Sequence, residues 1–543
     1  MVGRRARALA EGREFDVVVI GAGINGAGIA RDAAMRGLRV LLLDKADISS
    51  GTTSWSTRLI HGGLRYLEHR EIGLVRESLR EREKLLRIAP HLVKPLPLVI
   101  PIYKGDKRGP LLVRIGMLAY DLLSFDKSLE SHRMLSHAEA LEAVPGLNPE
   151  GLRAAAVYYD GQVEYAERLA VENAISAHNH GAVVLTYARV DKLVHEGGAI
   201  RGVEFTDLLN NTTCSVRAAV TINVAGPWMD EVLAGVAWPG EKMIGGTKGS
   251  HIIVNPFPGA PTDALYVEAR EDQRPYFIVP WNDLYLIGTT DVRYSGDLDY
   301  VQADEDEIQY LIAETNRVIP QANLTRDEVL YTYSGIRPLP SQEFGREGEI
   351  SRRHFIHDHA PELGGFISIV GGKLTTYRNL AEQTVDAVCS KLGRNPPRSR
   401  TARVALPGAV RLSTAFVERL QKRGPVSRLT AQHLQRTYGA RALEVLDMAG
   451  DDPALLEVFS PETGAIGAEV LLALRRELAQ TLADVLLRRT MVGIGPAVGV
   501  GADRAAAELA CRYLGWDDAR AAREVAEYRE YIRRFHPRSL SEN

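Results

Sequence analysis

The sequence predicts an α/β protein with a Rossmann-like unit near its N-terminus, an α+β unit interleaved with it, and a helical unit at the C-terminal end. Three observations predict this. Phe15–Ile20 reads as a buried strand, runs into a glycine-rich turn at 21–26, and is followed by a helical pattern over 27–36 and a second strand over 38–43. Strand-like runs then recur at 199–205, 213–224, 251–254 and 284–288. Beyond Gly393–Arg400, a stretch rich in proline and charge that reads as a linker, the pattern is almost entirely helical.

Composition bounds the function classes. The chain has 543 residues, 45% hydrophobic and 25% charged, which is enough for a sizeable core and, at about 150 residues per domain, for roughly three domains. A net charge of -3 offers no general attraction to nucleic acid, so any anion site must come from local clusters of Arg and Lys. The three cysteines, Cys214, Cys389 and Cys511, are far apart and lack metal-ligand spacing, so no metal site and a reducing, cytoplasmic setting are expected. The basic start, Met1–Arg7, reads as a disordered arm with no apolar run of signal-peptide length after it. No apolar run reaches the ~18 residues of a membrane span; the nearest, 111–125, contains Arg114 and Asp121.

Within this frame, the runs on either side of Asn210-Asn211 predict a hairpin leading back into the core, and 248–291 predicts a substrate-facing sheet. The acidic stretch from Asp304 predicts a helix to Val318: negative charge suits the positive end of a helix dipole, and Ile308, Leu311, Ile312 and Ile319 follow at helical spacing. It is not a calcium loop, because the alternating ligands and loop glycine are missing.

The turn Gly21-Ala22-Gly23-Ile24-Asn25-Gly26 has glycine where a tight turn, close approach to a pyrophosphate and close helix packing require it. The helix that follows presents free N–H groups to phosphate, and Asp44 at the end of the second strand suits a ribose hydroxyl. The strand, glycines, helix, second strand and acid occur in the required order, which points to dinucleotide binding. At this level FAD and NAD both remain open.

After Asp44 the chain reads Ser49-Ser50-Gly51-Thr52-Thr53-Ser54-Trp55-Ser56-Thr57-Arg58-Leu59-Ile60-His61-Gly62-Gly63-Leu64-Arg65-Tyr66-Leu67-Glu68. Further on come Ala89-Pro90-His91-Leu92, Tyr159-Asp160-Gly161, Ala225-Gly226-Pro227-Trp228, Lys248-Gly249-Ser250-His251, Gly288-Thr289-Thr290-Asp291, Ser334-Gly335-Ile336-Arg337-Pro338-Leu339, and Gly371-Gly372-Lys373-Leu374-Thr375-Thr376-Tyr377-Arg378. In content and order these resemble the FAD-dependent glycerol-3-phosphate dehydrogenase family, and Asp484–Thr490 resembles that family's helical cap. The resemblance implies FAD, a phosphorylated polyol substrate, a membrane quinone as acceptor, and a glutathione-reductase-like fold. It also implies FAD-binding parts at about 14–95, 150–245 and 335–395, substrate-domain parts at about 96–149 and 246–334, and a helical domain over 401–543. No calcium-binding extension like that of the mitochondrial relatives is visible.

The resemblance assigns substrate binding to Arg65, Tyr66, Arg337 and Lys373. A phosphate dianion needs directional cationic donors, and these Arg and Lys residues sit among Gly, Pro and Thr, as in tight loops. Oxidation of a secondary alcohol needs a base for the hydroxyl proton and a cation for the developing alkoxide. His251 is the candidate base and a substrate contact, and Arg337 the candidate alkoxide stabiliser. The expected cofactor contacts are Gly21, Gly23, Gly26, Asp44, Thr53, Ser54, His61, Val190, Ala225, Gly226, Gly372, Lys373, Leu374 and Thr375. Within that set, His61 holds the isoalloxazine or its loop, Val190 meets the adenine through its backbone, and the turn at 371–376 starts a helix aimed at the flavin.

Three alternatives stay open: an oxidase using oxygen, an amine-oxidising relative, and a flavin-binding protein without turnover. The amine reading is weakened because a substrate carboxylate would not need three cations. A quinone acceptor with no membrane span requires peripheral contact, expected at the inner face of the cytoplasmic membrane. The local candidate is 108–125, where Leu111, Leu112, Ile115, Leu118, Ala119 and Leu122 follow helical spacing beside Lys107, Arg108 and Arg114. An amphipathic helix packed on its own domain is the competing reading of that segment. Self-association as a homodimer stays open.

Overall fold

The computed structural model describes residues 10, 12–68, 71–236, 240–341, 353–395 and 397–541. The expected basic arm falls outside them.

The run Glu14–Ile20 forms β1, whose apolar residues are buried as a central parallel strand demands. It lies between β2 (Val40–Leu43) and β10 (Thr212–Asn223), both parallel to it. With β7 (Val183–Leu185), β17 (Phe355–Asp358) and β18 (Phe366–Val370) the order is β17-β18-β10-β1-β2-β7, and the hairpin partners β8 (Ala188–Glu196) and β9 (Ala199–Asp207) complete eight strands. Helices α1 (Ile24–Met35), α5 (Ala166–Asn179) and α7 (Tyr377–Lys391) pack together beside this sheet. Asn210 and Asn211 form the expected turn, with Asn211 at a φ of 51° and β9 antiparallel to β10.

The second sheet has ten strands, ordered β15-β11-β14-β13-β12-β4-β6-β3, with β16 on β11 and β5 on β6. These are β3 (Leu59–Ile60), β4 (Val93–Tyr103), β5 (Arg133–Ser136), β6 (Leu152–Val163), β11 (Thr247–Val254), β12 (Ala264–Glu268), β13 (Pro275–Trp281), β14 (Leu284–Gly288), β15 (Val292–Arg293) and β16 (Val329–Arg337). Both β4 and β6 start at or near the predicted boundaries but pair with each other along almost their full length, and β3 joins them. β3, β4 and β6 therefore belong to the second sheet, because their partners lie about fifty to a hundred residues away in sequence.

Helices α2 (Arg65–Glu68), α3 (Ile72–Ile88) and α4 (Pro110–Leu123) flank this sheet, and α6 (Glu305–Val318) covers its other end. The acidic run starts α6 as expected: Asp304 and Glu307 form a reciprocal capping box. From 401 onward the described chain is helical apart from the short hairpin β19 (Val458–Ser460) and β20 (Ala465–Ile466). The linker candidate is packed down, since Arg394 pairs with Asp16 and Ser399 bonds Asp32. None of the described helices is long and apolar enough to cross a membrane.

Candidate functional site

At the end of β1, Gly21 takes a φ of 110°, and a Cβ there would stand 2.6 Å from the Val224 carbonyl oxygen. Only glycine fits that turn. Gly23 leads into α1 without a side-chain cap, so the helix N-terminus stays open to an anion. Gly26 has a different role: its Cβ would lie 1.8 Å from the Gly21 oxygen, so it closes the turn and does not line the cavity beyond. Thr53 Oγ1 accepts the Ile24 N–H at 3.0 Å. Ser54 is buried and hydrogen-bonded to Ser49, which fixes its loop and leaves it off the cavity wall. Asp44 accepts the N–H groups of Ala22 at 2.6 Å and Ala46 at 2.8 Å. Burial lifts its pKa, and those two hydrogen bonds oppose the rise.

These groups border a cavity of about 640 Å³, lined by Gly21, Gly23, Asp44, Thr53, Val190, Ala225, Gly226, Gly372, Lys373 and Leu374 among others. Three features suit a dinucleotide: glycines where side chains would intrude, an open helix N-terminus, and a buried Trp228 Nε1 donor at the wall without a hydrogen-bond partner among the described residues. Gly372, at a φ of 105°, would collide with Asn25 Nδ2 at 2.6 Å if it carried a Cβ.

A smaller cavity of about 220 Å³ adjoins the first and shares Thr52, Trp55, Ser56, Gly335, Pro338 and residues 371–374 with it. Here the structure brings His61, Tyr66, His251, Arg337, Lys373, Leu374 and Thr375 together from motifs separated by as much as three hundred residues. His251 stands on β11 opposite Gly288 and Tyr333. Its Nε2 lies 2.9 Å from Thr57 Oγ1, and its ring centroid 4.8 Å from that of Tyr333. Burial drives the imidazole pKa well below 6.5, and the charges of Arg337 and Arg58 push the same way, so His251 is neutral at pH 7.

Arg337 ends β16 and reaches across Gly249, where a Cβ would meet its guanidinium at 2.3 Å. Its Nη1 pairs with Asp291 at 2.9 Å, and its Nη2 donates to Thr289 Oγ1 at 3.0 Å. Lys373 Nζ sits 3.6 Å from the centre of the Tyr66 ring, a close cation–π contact. His61 donates its backbone N–H to Thr375 Oγ1 at 3.1 Å. Its ring is pushed down to about 4, first by burial and further by Lys373, against the pull of Asp160. Arg65 opens α2, but its side chain lies outside the described residues. Among the described residues no cluster of His, Cys, Asp and Glu is suited to a metal ion.

Several site residues escape sequence reasoning. Asp291 and Thr57 lie inside motifs already noted, but only the folded chain brings them to Arg337 and His251. Tyr531, Arg534 and Phe535, near the far end of the chain, also line the larger cavity. Phe535 packs on Trp55 at 5.0 Å, and its carbonyl accepts from Thr332 Oγ1 at 3.1 Å. No motif marks them.

Comparison with known proteins agrees with this geometry. The family described as FAD dependent oxidoreductase matches residues 16–378, and the one described as C-terminal domain of alpha-glycerophosphate oxidase matches 399–521. A glycerol-3-phosphate dehydrogenase of Synechocystis sp. is 48% identical over 95% of this chain and 96% of its own. A D-erythritol 1-phosphate dehydrogenase of Brucella abortus is 38% identical over 89% and 95%. The X-ray structure of the glycerol-3-phosphate dehydrogenase from Bacillus halodurans complexed with FAD superposes with a TM-score of 0.80, at 27% identity and 98% coverage of both chains.

Proposed function

The chain belongs to the FAD-dependent oxidoreductase family, with FAD as its cofactor, and on that premise we propose that it oxidises sn-glycerol 3-phosphate to dihydroxyacetone phosphate and delivers the electrons to a membrane quinone. The observation that carries the reading is the smaller cavity. It opens on the cofactor cavity and combines Arg337 and Lys373 with a buried neutral imidazole. Relatives named for glycerol 3-phosphate and for erythritol 1-phosphate point to the same class of phosphorylated polyol.

In this reading Gly21, Gly23 and the α1 N-terminus hold the pyrophosphate, Asp44 the ribose, Val190 the adenine, and residues 372–375 the ring. Bound FAD supplies the acceptor for the hydride that leaves C2. Lys373 and Arg65 hold the substrate phosphate, and Tyr66 packs beside Lys373 to shape that pocket. The hydroxyl proton goes to His251 Nε2, the ring atom facing Thr57 at the pocket wall. Arg337, kept in place by Asp291 and Thr289, steadies the oxygen as negative charge builds on it. Trp55, which packs on Phe535, lines both cavities and adds an apolar wall beside these groups.

The quinone-linked part of the reading places the protein on the inner face of the cytoplasmic membrane through α4. This helix buries Val113, Met117 and Tyr120 yet leaves Leu111, Leu122 and neighbouring Phe125 at 73%, 74% and 76% exposure, so apolar groups project on both sides.

The deciding experiment adds sn-glycerol 3-phosphate to the purified yellow protein under argon. Bleaching of the flavin absorbance is expected, followed by reoxidation with a short-chain ubiquinone analogue faster than with air. An unbleached flavin sinks the substrate assignment. Bleaching with fast oxygen uptake and none by quinone would make the protein an oxidase.

A further inference from the structure

The motif Tyr159-Asp160-Gly161 has no part in the chemistry above, yet Asp160 is one of the most heavily engaged carboxylates in the molecule. It lies buried on β6, where Arg82 Nη1 of α3 donates to its Oδ1 at 2.6 Å. The hydroxyl of Tyr120, on the buried side of α4, donates to Oδ2 at 2.7 Å. That hydroxyl in turn accepts the backbone N–H of Gly62 at 2.9 Å, and Asp160 Oδ1 stands 3.3 Å from the same nitrogen.

Gly62 follows His61 and precedes Gly63, and the packing leaves it no slack. A Cβ on Gly62 would be 2.3 Å from the Tyr120 oxygen, and one on Gly63 would be 2.1 Å from the Tyr66 ring. Tyr120 is held edge-on to Tyr158 at 5.7 Å. Burial, together with Asp160, keeps its phenol protonated far above neutral pH, so it remains a donor to the carboxylate. The turn that carries His61 and Tyr66 into the smaller cavity is therefore fixed from behind by one phenol and one carboxylate.

We infer that Tyr120 and Asp160, with Arg82 holding the carboxylate, are positioning residues for the 61–66 turn and set the placement of His61 and Tyr66 in the substrate pocket. Because Tyr120 belongs to α4, the helix with the exposed apolar face is also a structural part of that pocket. The kinetic arm of the test rests on the proposed glycerol 3-phosphate activity; the exchange arm does not.

Tyr120→Phe keeps the ring and removes only the hydroxyl, and Asp160→Asn keeps the shape and removes the charge. The full FAD-loaded protein is compared with each variant by hydrogen exchange and by steady-state kinetics. Exchange in the peptide spanning 61–68 is expected to quicken about ten-fold, and KM for glycerol 3-phosphate to rise about five-fold, as a weakened hold on the Gly62 N–H predicts. Flavin content and exchange in β1 and α1 should stay as in the unaltered protein, with kcat within about two-fold. Unchanged exchange at 61–68 in both variants would overturn the inference whatever the substrate proves to be. Equal acceleration across the whole second sheet would also overturn it, by reducing the pair to scaffold. If the unaltered protein is not bleached by glycerol 3-phosphate, the substrate reading falls, and the exchange result alone decides the positioning role.

Discussion

Arg489 grips Asp47 with both ends of its guanidinium, Nη1 and Nη2 each 2.8 Å from a carboxylate oxygen, and both side chains are fully buried. Arg488 Nε adds a third contact at 2.6 Å. Burial alone would raise the Asp47 pKa, but the two arginines outweigh it and hold the carboxyl below its usual range. The pairing ties the loop behind Asp44 to the helical C-terminal unit.

Asp47→Ala leaves two buried arginines without this partner, and breaking such a pair costs about 3–5 kcal/mol. The expected outcome is a lower melting temperature, with flavin released at or before unfolding, read from flavin fluorescence during a thermal ramp. A variant that melts like the parent would show that the clamp contributes nothing to stability.

The glycines of the turn should separate into two behaviours. Gly23→Val puts a branched side chain into the pyrophosphate's path, where the nearest existing neighbour is Thr53 Oγ1 at 3.3 Å, so a folded but colourless protein is expected. Gly26→Ala drives a Cβ into the Gly21 carbonyl and should impair folding itself. Circular dichroism and the flavin-to-protein absorbance ratio distinguish the two; normal flavin content in Gly23→Val would displace the proposed phosphate path.

Arg337→Ala should lower both substrate affinity and turnover, by roughly 3 kcal/mol in kcat/KM for an oxyanion donor. Arg337→Lys should rescue only part, because a point charge cannot reproduce the fork now shared among Asp291, Thr289 and the Thr290 carbonyl. If both variants keep parental kinetics, Arg337 only ties β16 to the loop at 289–291.

Two imidazoles give the protein a predictable sensitivity to acid. His61 and His359 are pushed from 6.5 to about 4, in each case chiefly by burial. Between those values the unfolded chain binds more protons than the folded one, so stability is full above pH 6.5 and falls as pH drops toward 4. His251, depressed by the same cause, should keep kcat/KM free of an imidazole limb near 6.5, with the acid limb displaced to lower pH. Denaturant midpoints at pH 7 and pH 5, set beside a pH–rate profile, test both; an acid limb centred on 6.5 would remove His251 as the base.

Flotation with liposomes tests the proposed membrane contact. The parent protein should rise with vesicles, more so with anionic lipid, and the pair Leu111→Glu with Leu112→Glu should weaken this while leaving flavin content intact. Absence of parental flotation removes the docking claim, and undiminished flotation of the variant clears α4.

The cofactor cradle was legible because its signal is local: strand, glycines, helix and acid follow one another within thirty residues, and each has a backbone reason to be there. The acidic start of α6 was legible for the same reason. Sheet membership was not. β4 and β6 carry apolar patterns that would suit either sheet, and only their pairing, Val93 with Val163 through Tyr103 with Leu152, assigns them to the second. In the candidate site, His251, Arg337 and Lys373 stand out by residue type and loop context and do meet in one cavity. The parts that hold them, Thr57, Asp291 and Tyr120, are ordinary residues whose importance arises from neighbours distant in sequence.

The wall formed by Tyr531, Arg534 and Phe535 bears on when the cofactor is taken up. On a ribosome, the glycine turn and Asp44 emerge early, but part of the wall that faces them, Tyr531, Arg534 and Phe535, is made nearly five hundred residues later. Until Arg488 and Arg489 have reached Asp47 and Phe535 has settled on Trp55, the cradle stands open on one side. A chain interrupted after the oxidoreductase region would therefore have the fingerprint without this part of the enclosure.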